Sequence, residues 1–219
     1  MRSTIAGRAA LVGALLLAGL GAGVTPAAAS NPAGVASLGS AGFTQGTSAP
    51  ISISSLADCA VEGPTSNSSG VVTRTGVTFG GGTSTCTTTV VAPENDVTST
   101  KSEAKGQNFE LSALVSSSGP RIEVGSYSVT CTATRAGTNA SWTYGGASGL
   151  GTLPSPVPVG YVKPITKSDG TLLAEAIFNE QTSPGDGSIA LTMLRIEFAP
   201  ASDITGEVVV GRTACSPIR

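Results

Sequence analysis

Alternation of apolar and polar residues is the main pattern along this chain. Over Ile51–Leu56 and again over Arg121–Thr134, apolar side chains recur at every second position, as in a β-strand with one buried face. Beyond the first 29 residues, no stretch sustains the 3.6-residue apolar repeat of an amphipathic helix. The sequence therefore predicts an all-β fold, a two-sheet antiparallel β-sandwich of about eight to ten short strands.

The C-terminal part predicts a meander of three strands. Leu172–Phe178, Ile189–Phe198 and Glu207–Gly211 are apolar runs, and Ser183–Gly187 and Ala199–Gly206 between them contain turn residues. We expect three neighbouring strands that form one side of the sandwich.

The middle run of this meander changes its apolar phase. Its apolar residues share one parity up to Met193 and the other parity from Leu194 onward. Because a one-residue shift turns every later side chain to the opposite face, we expect a β-bulge near Met193–Leu194, or a strand covered on both faces.

The middle of the chain predicts further strands and one hairpin. Val71–Phe79 and Ser84–Val91 are rich in valine and threonine and flank three glycines, which favours a hairpin with a glycine turn. Ala92–Gln107 is the most polar stretch and is predicted to be a solvated connection. Gly125 interrupts the long strand over Arg121–Thr134 and predicts a second bulge there.

The N-terminus has the pattern of a secretory signal. Arg2 and Arg8 precede the uncharged apolar run Ala9–Val24, and the small residues before Ser30 suit a signal peptidase. This predicts a signal peptide over residues 1–29, a flexible leader rich in glycine, serine and alanine over 30–50, and a β-sandwich domain over 51–219. After cleavage, the mature chain is expected to have no transmembrane segment.

Composition and charge narrow the expected partners. Without the predicted signal, the chain has 10 basic and 14 acidic residues, a net charge of −4, and its lysines and arginines are scattered singly. Nucleic acid is therefore not an expected partner. Only 12% of the residues are charged, while serine, threonine and glycine are abundant, as in many extracellular β-proteins.

Four cysteines are expected to form two disulfide bonds. An exported chain folds in an oxidising compartment, and the wide spacing of Cys59, Cys86, Cys131 and Cys215, with no histidine anywhere, does not suit a zinc site. Three connectivities are possible. We favour Cys59–Cys86, which closes the loop around the predicted hairpin, and Cys131–Cys215, which ties the last strand to the long central one.

The C-terminal motifs resemble those of a known family. The order Asn179–Thr182 (NEQT), Pro184–Gly187 (PGDG), an apolar strand, and Val208–Gly211 (VVVG) followed by Cys215 is similar to the choice-of-anchor P family. The resemblance implies a secreted or surface protein of actinobacteria. It implies no catalytic residues for this chain. Family members commonly carry an anchoring signal; this sequence contains no Leu-Pro-x-Thr-Gly motif and no terminal hydrophobic tail, so we expect release or non-covalent retention at the envelope.

The search for catalytic chemistry excludes several enzyme classes. Without histidine, neither a Ser-His-Asp triad nor a Cys-His pair can form, and there is no Gly-x-Ser-x-Gly motif. Turn and surface roles account for the carboxylates that a glycosidase would use, so we expect no catalytic residues and no cofactor. An oxygen-ligated calcium site at the turns near residues 179–186 is conceivable, although an ordinary β-turn explains them better. The carboxylate candidates are Glu175, Glu180, Asp186 and Glu197, and the calcium candidates are Asn179, Glu180 and Asp186.

These observations predict a secreted, non-enzymatic β-module of the cell envelope or extracellular space, whose partner is an envelope component or an extracellular protein. The alternative is a secreted binding or inhibitory protein that recognises its partner through the loop over residues 145–164. That loop contains four prolines and five glycines, and rigid loops on β-scaffolds commonly carry binding. A hydrolase is the third and least supported hypothesis.

Overall fold

A computed structural model describes residues 31–92 and 97–217 of the chain. Within these ranges the chain forms fourteen β-strands and two short 3-10 helices, Ala113–Ser117 and Pro200–Ser202. No helix in the described part of the chain is long and apolar enough to span a membrane. The predicted signal peptide lies outside the described residues. The strands are β1 Gly34–Gln45, β2 Ile51–Leu56, β3 Cys59–Ala60, β4 Ser66–Ser69, β5 Val72–Arg74, β6 Val77–Phe79, β7 Gly82–Ala92, β8 Val97–Leu111, β9 Ile122–Thr134, β10 Gly137–Ser148, β11 Tyr161–Thr166, β12 Leu172–Thr182, β13 Ile189–Phe198 and β14 Ile204–Cys215.

The strands form two antiparallel sheets of seven strands each, which confirms the predicted disulfide-bridged β-sandwich. Sheet A has the order β11-β12-β13-β14-β1-β2, with β3 beside β1. In sheet B, β10-β9-β8 continues into β6 and β5, and β7 pairs with both β8 and β4. The two inner faces meet in one core of buried apolar side chains, which stabilises the sandwich because this surface is removed from water.

The C-terminal meander is present as predicted. β13 has the predicted bounds, while β12 and β14 are longer than the apolar runs that indicated them. The three strands are neighbours in sheet A, and β14 continues the sheet by pairing with β1. The motif NEQT forms the last four residues of β12.

The phase change at Met193–Leu194 is real, but it involves no extra residue. Both side chains are buried, while the β13–β14 register is the same on either side, pairing Thr192 with Arg212 and Leu194 with Val210. The neighbours of Met193 across the sheet are Asn179 on β12, with φ +54°, and Gly211 on β14, with φ +67°. A left-handed residue on every second strand turns the following side chains over in step, so the strands keep their pairing register while the buried parity changes.

Sheet B changes phase in the same way. Asn108 on β8, Gly125 on β9 and Gly146 on β10 lie in one row, and the first and last of them have φ of +49° and +65°. On β9 the buried positions are even-numbered up to Val124 and odd-numbered from Tyr127. Gly125 therefore lies at the phase change, but the bulge predicted there is absent, because the pairing register is unchanged across it.

Two stretches predicted to be irregular are central strands. Gly34–Gln45, assigned to the flexible leader of residues 30–50, is β1 and pairs with β14 on one side and with β2 and β3 on the other. The described part of Ala92–Gln107 belongs mostly to β8, which pairs with β7 and β9. Both predictions were wrong because the inward residues are small or hydroxyl-bearing, such as Ala36, Ser102 and Ala104, and do not give an apolar signal.

Close packing explains why these inward residues must be small. A Cβ atom at Gly34 would lie 2.8 Å from the Thr100 side chain and 3.1 Å from the Ser102 hydroxyl, so β1 and β8 are in contact across the core. The small positions therefore set the distance between the two sheets.

The predicted glycine-turn hairpin is also corrected. Val77–Phe79 pairs with Val72–Arg74 through a turn at Thr75–Gly76, where Gly76 has φ +80°. β7 pairs instead with β4 and with β8. The described chain therefore has fourteen strands, more than the eight to ten expected. The excess comes from the short strands and from β1 and β8, which were not predicted.

Both favoured disulfide bonds are present. Cys59 is bonded to Cys86 and Cys131 to Cys215, and no described cysteine is free. Each bond joins sheet A to sheet B, since Cys59 and Cys215 lie on β3 and β14 and their partners lie on β7 and β9. The two covalent links hold the sandwich together near one end of the paired strands.

Candidate functional site

The outer face of sheet B is a regular array of hydroxyl groups, which we call the hydroxyl face. Four strands carry it, and their register brings outward residues into rows that run across the sheet. Two rows extend onto β4 through Ser66 and Ser68. In strand order β7, β8, β9, β10, the rows are Thr89–Ser99–Thr134–Gly137, Thr87–Lys101–Thr132–Asn139, Thr85–Glu103–Thr130–Ser141 and Thr83–Lys105–Ser128–Thr143, followed by Gln107–Ser126–Gly145 on the last three strands.

Strict alternation along β7 and β9 creates this face. On β7 the outward positions Thr83 to Thr89 are every second residue, while Ser84 and Cys86 between them are buried. On β9, Val129, Cys131 and Ala133 are buried in the same way. The core anchors one face of each strand, so the opposite face must present its hydroxyl groups to solvent.

Most of these hydroxyl groups have no protein partner. Thr130 donates a hydrogen bond to Glu103 at 3.3 Å, and Thr134 donates one to the Gly137 carbonyl at 3.2 Å. The hydroxyls of Thr83, Thr85 and Thr132 make no hydrogen bond within the described chain. They are therefore available to an outside donor or acceptor.

The charged residues of the hydroxyl face form one small ion-pair cluster with a net charge of +1. Glu103 lies 3.1 Å from the Lys105 ammonium and 3.6 Å from that of Lys101. Burial raises the pKa of Glu103, but the hydrogen bond from Lys105 and the charges of both lysines outweigh it, so the pKa is lowered overall. Glu103 thus remains ionised at neutral pH, and the face carries two lysines against one carboxylate.

A shallow trough crosses one end of the hydroxyl face. It has a volume of about 520 Å³ and includes the last two rows. Its floor contains Gly106 and Tyr127, where a Cβ on Gly106 would lie 2.2 Å from the tyrosine Cζ. The Tyr127 hydroxyl donates to the Leu38 carbonyl on sheet A at 2.8 Å, which holds the ring in place below the surface.

Three of the four carboxylates singled out in the sequence accept hydrogen bonds or form ion pairs within the described chain. Glu180 accepts two hydrogen bonds from Arg195, at 2.6 and 3.0 Å, and Glu197 forms an ion pair with the same guanidinium. Asp186 accepts hydrogen bonds from the backbone and hydroxyl of Ser188. Glu175 is paired directly across the sheet with Glu197. Glu180 and Glu197 thus belong to an ion-pair cluster around Arg195, and Glu180, Arg195 and Glu207 line a cavity of about 270 Å³.

The conceivable calcium ligands are not assembled into a site. The Asn179 side chain bonds to the Val157 carbonyl and to Gln181, and Glu180 directs both oxygens at Arg195. Among the described residues, no group of three or more metal-binding side chains is placed to hold a metal ion.

The loop predicted over residues 145–164 is shorter in the structure. β10 continues to Ser148 and β11 begins at Tyr161, so residues 149–160 form the irregular part. Leu150 is buried, and Leu153 and Val157 pack against the core, whereas Val159 is 60% exposed. Pro164 lies within β11, at the edge of sheet A, where a missing backbone donor is tolerated.

Sequence reasoning missed the hydroxyl face, although part of its signal was visible. The alternating threonines at 83, 85, 87 and 89 were interpreted as strand propensity alone. Comparison with protein-family models, with curated proteins and with solved structures gives no match to this chain. The candidate site therefore depends on its own geometry.

Proposed function

We propose that this protein is an exported, non-enzymatic β-module that attaches to a neutral polysaccharide at the cell envelope through the hydroxyl face. The observation that carries the proposal is the array of unpaired hydroxyls on four registered strands. Export is supported by the N-terminal signal pattern and agrees with two disulfide bonds, which are typical of oxidising compartments. The resemblance to the choice-of-anchor P family supports the same location.

The geometry favours a polymer over a single sugar. Along a strand, outward residues repeat about every 6.8 Å, and neighbouring strands are about 4.8 Å apart. Each hydroxyl both donates and accepts, which suits the hydroxyl groups of a glycan, but each bond exchanged against water contributes only about 1 kcal/mol. Appreciable affinity therefore requires many contacts at once, as an extended chain or an insoluble glycan surface provides.

The low net charge of the face argues against a polyanion as the partner. A protein that binds a polyanion neutralises many phosphates or carboxylates with lysines and arginines. The hydroxyl face offers only Lys101 and Lys105, and both are paired with Glu103. We therefore expect binding that changes little with salt.

Co-sedimentation with insoluble polysaccharides tests the proposal. Purified cell walls, chitin and cellulose are each mixed with the disulfide-bonded protein, and the bound fraction is measured at low and high salt. The variant Thr83→Val/Thr85→Val/Thr132→Val removes three unpaired hydroxyls while keeping the branched shape. We expect it to bind at least about tenfold more weakly, since three lost hydrogen bonds of about 1 kcal/mol each exceed 1.4 kcal/mol.

Threonines elsewhere in the fold provide the matched control. Thr73→Val/Thr205→Val changes exposed strand threonines outside the hydroxyl face and should bind like the wild type. No sedimentation with any of the polysaccharides, or equal losses in the two sets of variants, would refute the hydroxyl face as the attachment surface.

A second candidate function uses the loop of residues 149–160 to capture an extracellular protein. It is supported by Val159, which is 60% exposed on a loop whose other apolar residues hold it to the core. Deleting Ser155–Pro158 should abolish capture of a partner from native culture medium under this hypothesis. Unchanged capture by the deletion variant contradicts it.

A further inference from the structure

A second concave site lies beside β1 and β3 of sheet A, and its lining also includes Asn67 on β4 of sheet B. Its volume is about 490 Å³, within the range of small-molecule sites. The walls are mostly apolar and include Val35, Ala60 and Pro64. Two charged side chains, Arg212 and Asp58, also line it.

An irregularity at the edge of the sheet produces this cavity. β1 pairs with β2 through Ile51–Leu56 and with β3 through Cys59–Ala60, with a register shift between Gly39 and Ala41. Between the two short strands, Ala57 has φ +52°. The rim is fastened by Asn67, which donates to the Asp58 carbonyl at 3.0 Å, and by the Cys59–Cys86 disulfide bond.

The two charges face the same cavity without neutralising each other. Neither Arg212 nor Asp58 forms an ion pair within the described residues. The Asp58 carboxylate accepts a hydrogen bond from the Ser55 hydroxyl, which leaves further acceptor capacity. Arg212 is exposed on β14, opposite Ser37 and Thr192, and makes no side-chain hydrogen bond there. Arg195, by contrast, is occupied by three glutamates.

We propose that this cavity binds a small zwitterion of the amino-acid or short-peptide class. A guanidinium matches a carboxylate in bidentate geometry, so Arg212 receives the ligand's carboxylate. Asp58 receives its ammonium group, and the apolar walls contact its side chains. A simple anion would use only the arginine and a simple cation only the aspartate, whereas a ligand with both charges uses both.

The experiment compares three ligands that differ by one charge each. The dipeptide Ala-Ala, its N-acetyl derivative and its C-terminal amide are titrated against the disulfide-bonded protein, and binding is followed by NMR chemical shifts. We expect acetylation and amidation each to weaken binding about tenfold or more, because each modification removes one charge and the charge-assisted hydrogen bonds that it makes.

Two protein variants assign the charges to their partners. Arg212→Gln should bind Ala-Ala and its amide equally, and Asp58→Asn should bind Ala-Ala and its N-acetyl form equally. Arg135→Gln, an exposed arginine on the turn between β9 and β10, is the matched control and should keep both preferences. Thermal unfolding confirms that each variant is folded.

Three results would overturn the proposal. They are the absence of any shift at millimolar Ala-Ala, equal binding of all three ligands, and unchanged preferences in Arg212→Gln. Polysaccharide binding by Arg212→Gln should equal that of the wild type, so failure of this site is distinguishable from failure of the hydroxyl face.

Discussion

Replacing Tyr127 by phenylalanine tests how one buried hydrogen bond holds the two sheets together. The Tyr127 hydroxyl is on β9 of sheet B and donates to the Leu38 carbonyl on β1 of sheet A at 2.8 Å, with the side chain only 4% exposed. The β1–β14 register passes from Ser37–Arg212 to Gly39–Val210 without a pair at Leu38. The tyrosine thus provides a donor to this carbonyl from the opposite sheet.

The expected loss is about 2 kcal/mol of unfolding free energy. A buried hydrogen bond contributes about 0.5–1.5 kcal/mol net, and an acceptor left without its donor in the interior costs about 1–3 kcal/mol. For a domain of this size, the melting temperature should fall by roughly 4–8 °C. Urea unfolding measures the change, which should appear in the midpoint and not in the slope.

The pH dependence provides a second readout. Burial raises the pKa of Tyr127 in the folded state, whereas a tyrosine in the unfolded chain has a pKa of about 10. The raised pKa therefore contributes stability that is fully present below about pH 10 and is lost as the pH rises towards the folded value. The gap between the wild type and Tyr127→Phe should accordingly narrow above about pH 10.

Tyr144→Phe is the control, because Tyr144 is 38% exposed and its hydroxyl makes no hydrogen bond to the described chain. Equal stability of the two variants, or a gap that widens at alkaline pH, would refute the inter-sheet hydrogen bond as a stabilising contact.

Three further predictions concern the core, the surface and the covalent links. Ser102→Ala should leave the free energy of unfolding, measured in urea, unchanged or raise it by up to about 1 kcal/mol. The reason is that this hydroxyl is fully buried without a hydrogen-bond partner in the described chain. A clear loss of stability in the variant would contradict this. Arg195→Met should destabilise the folded protein by about 1–2 kcal/mol at low salt and by less at 1 M salt, since the guanidinium contacts three partly exposed glutamates. A loss of stability that does not depend on salt would contradict the ion pairs as its cause and would indicate lost packing instead. Replacing Cys131 and Cys215 by alanines should lower the free energy of unfolding by about 1 kcal/mol more than replacing Cys59 and Cys86. In the chain-entropy model, the sequence separations of 84 and 27 residues correspond to stabilisation by about 4.6 and 3.6 kcal/mol. Equal losses measured by calorimetry would contradict that model for this protein.

Much of the fold was predictable where large apolar side chains mark the buried face. β13 was predicted with its bounds because six of its residues are large and apolar, and the phase change at Met193–Leu194 was visible for the same reason. The cysteine count and spacing likewise predicted both disulfide bonds. In these places a local pattern was enough, since burial of large side chains dominates the energetics.

Sequence reasoning failed where the buried face is built from small residues. β1 and β8 pack against each other through glycine, alanine, serine and threonine, which in sequence resemble a leader or a solvated connection. Their buried character depends on the other sheet lying close to them, and that proximity is a property of the assembled sandwich.

The sequence by itself determined that the chain is all-β, that its C-terminal runs form a meander, and that its cysteines pair, because each depends on periodicity or residue type within a short stretch. Only the tertiary structure decided which strands are neighbours and what their outer faces present. Thr83, Lys105, Ser128 and Thr143 come from four different strands and form one row only through the registers of β7, β8, β9 and β10. Arg212 and Asp58 meet at one cavity for the same reason. Register is set by packing between distant segments, which the order of residues within any one strand does not specify.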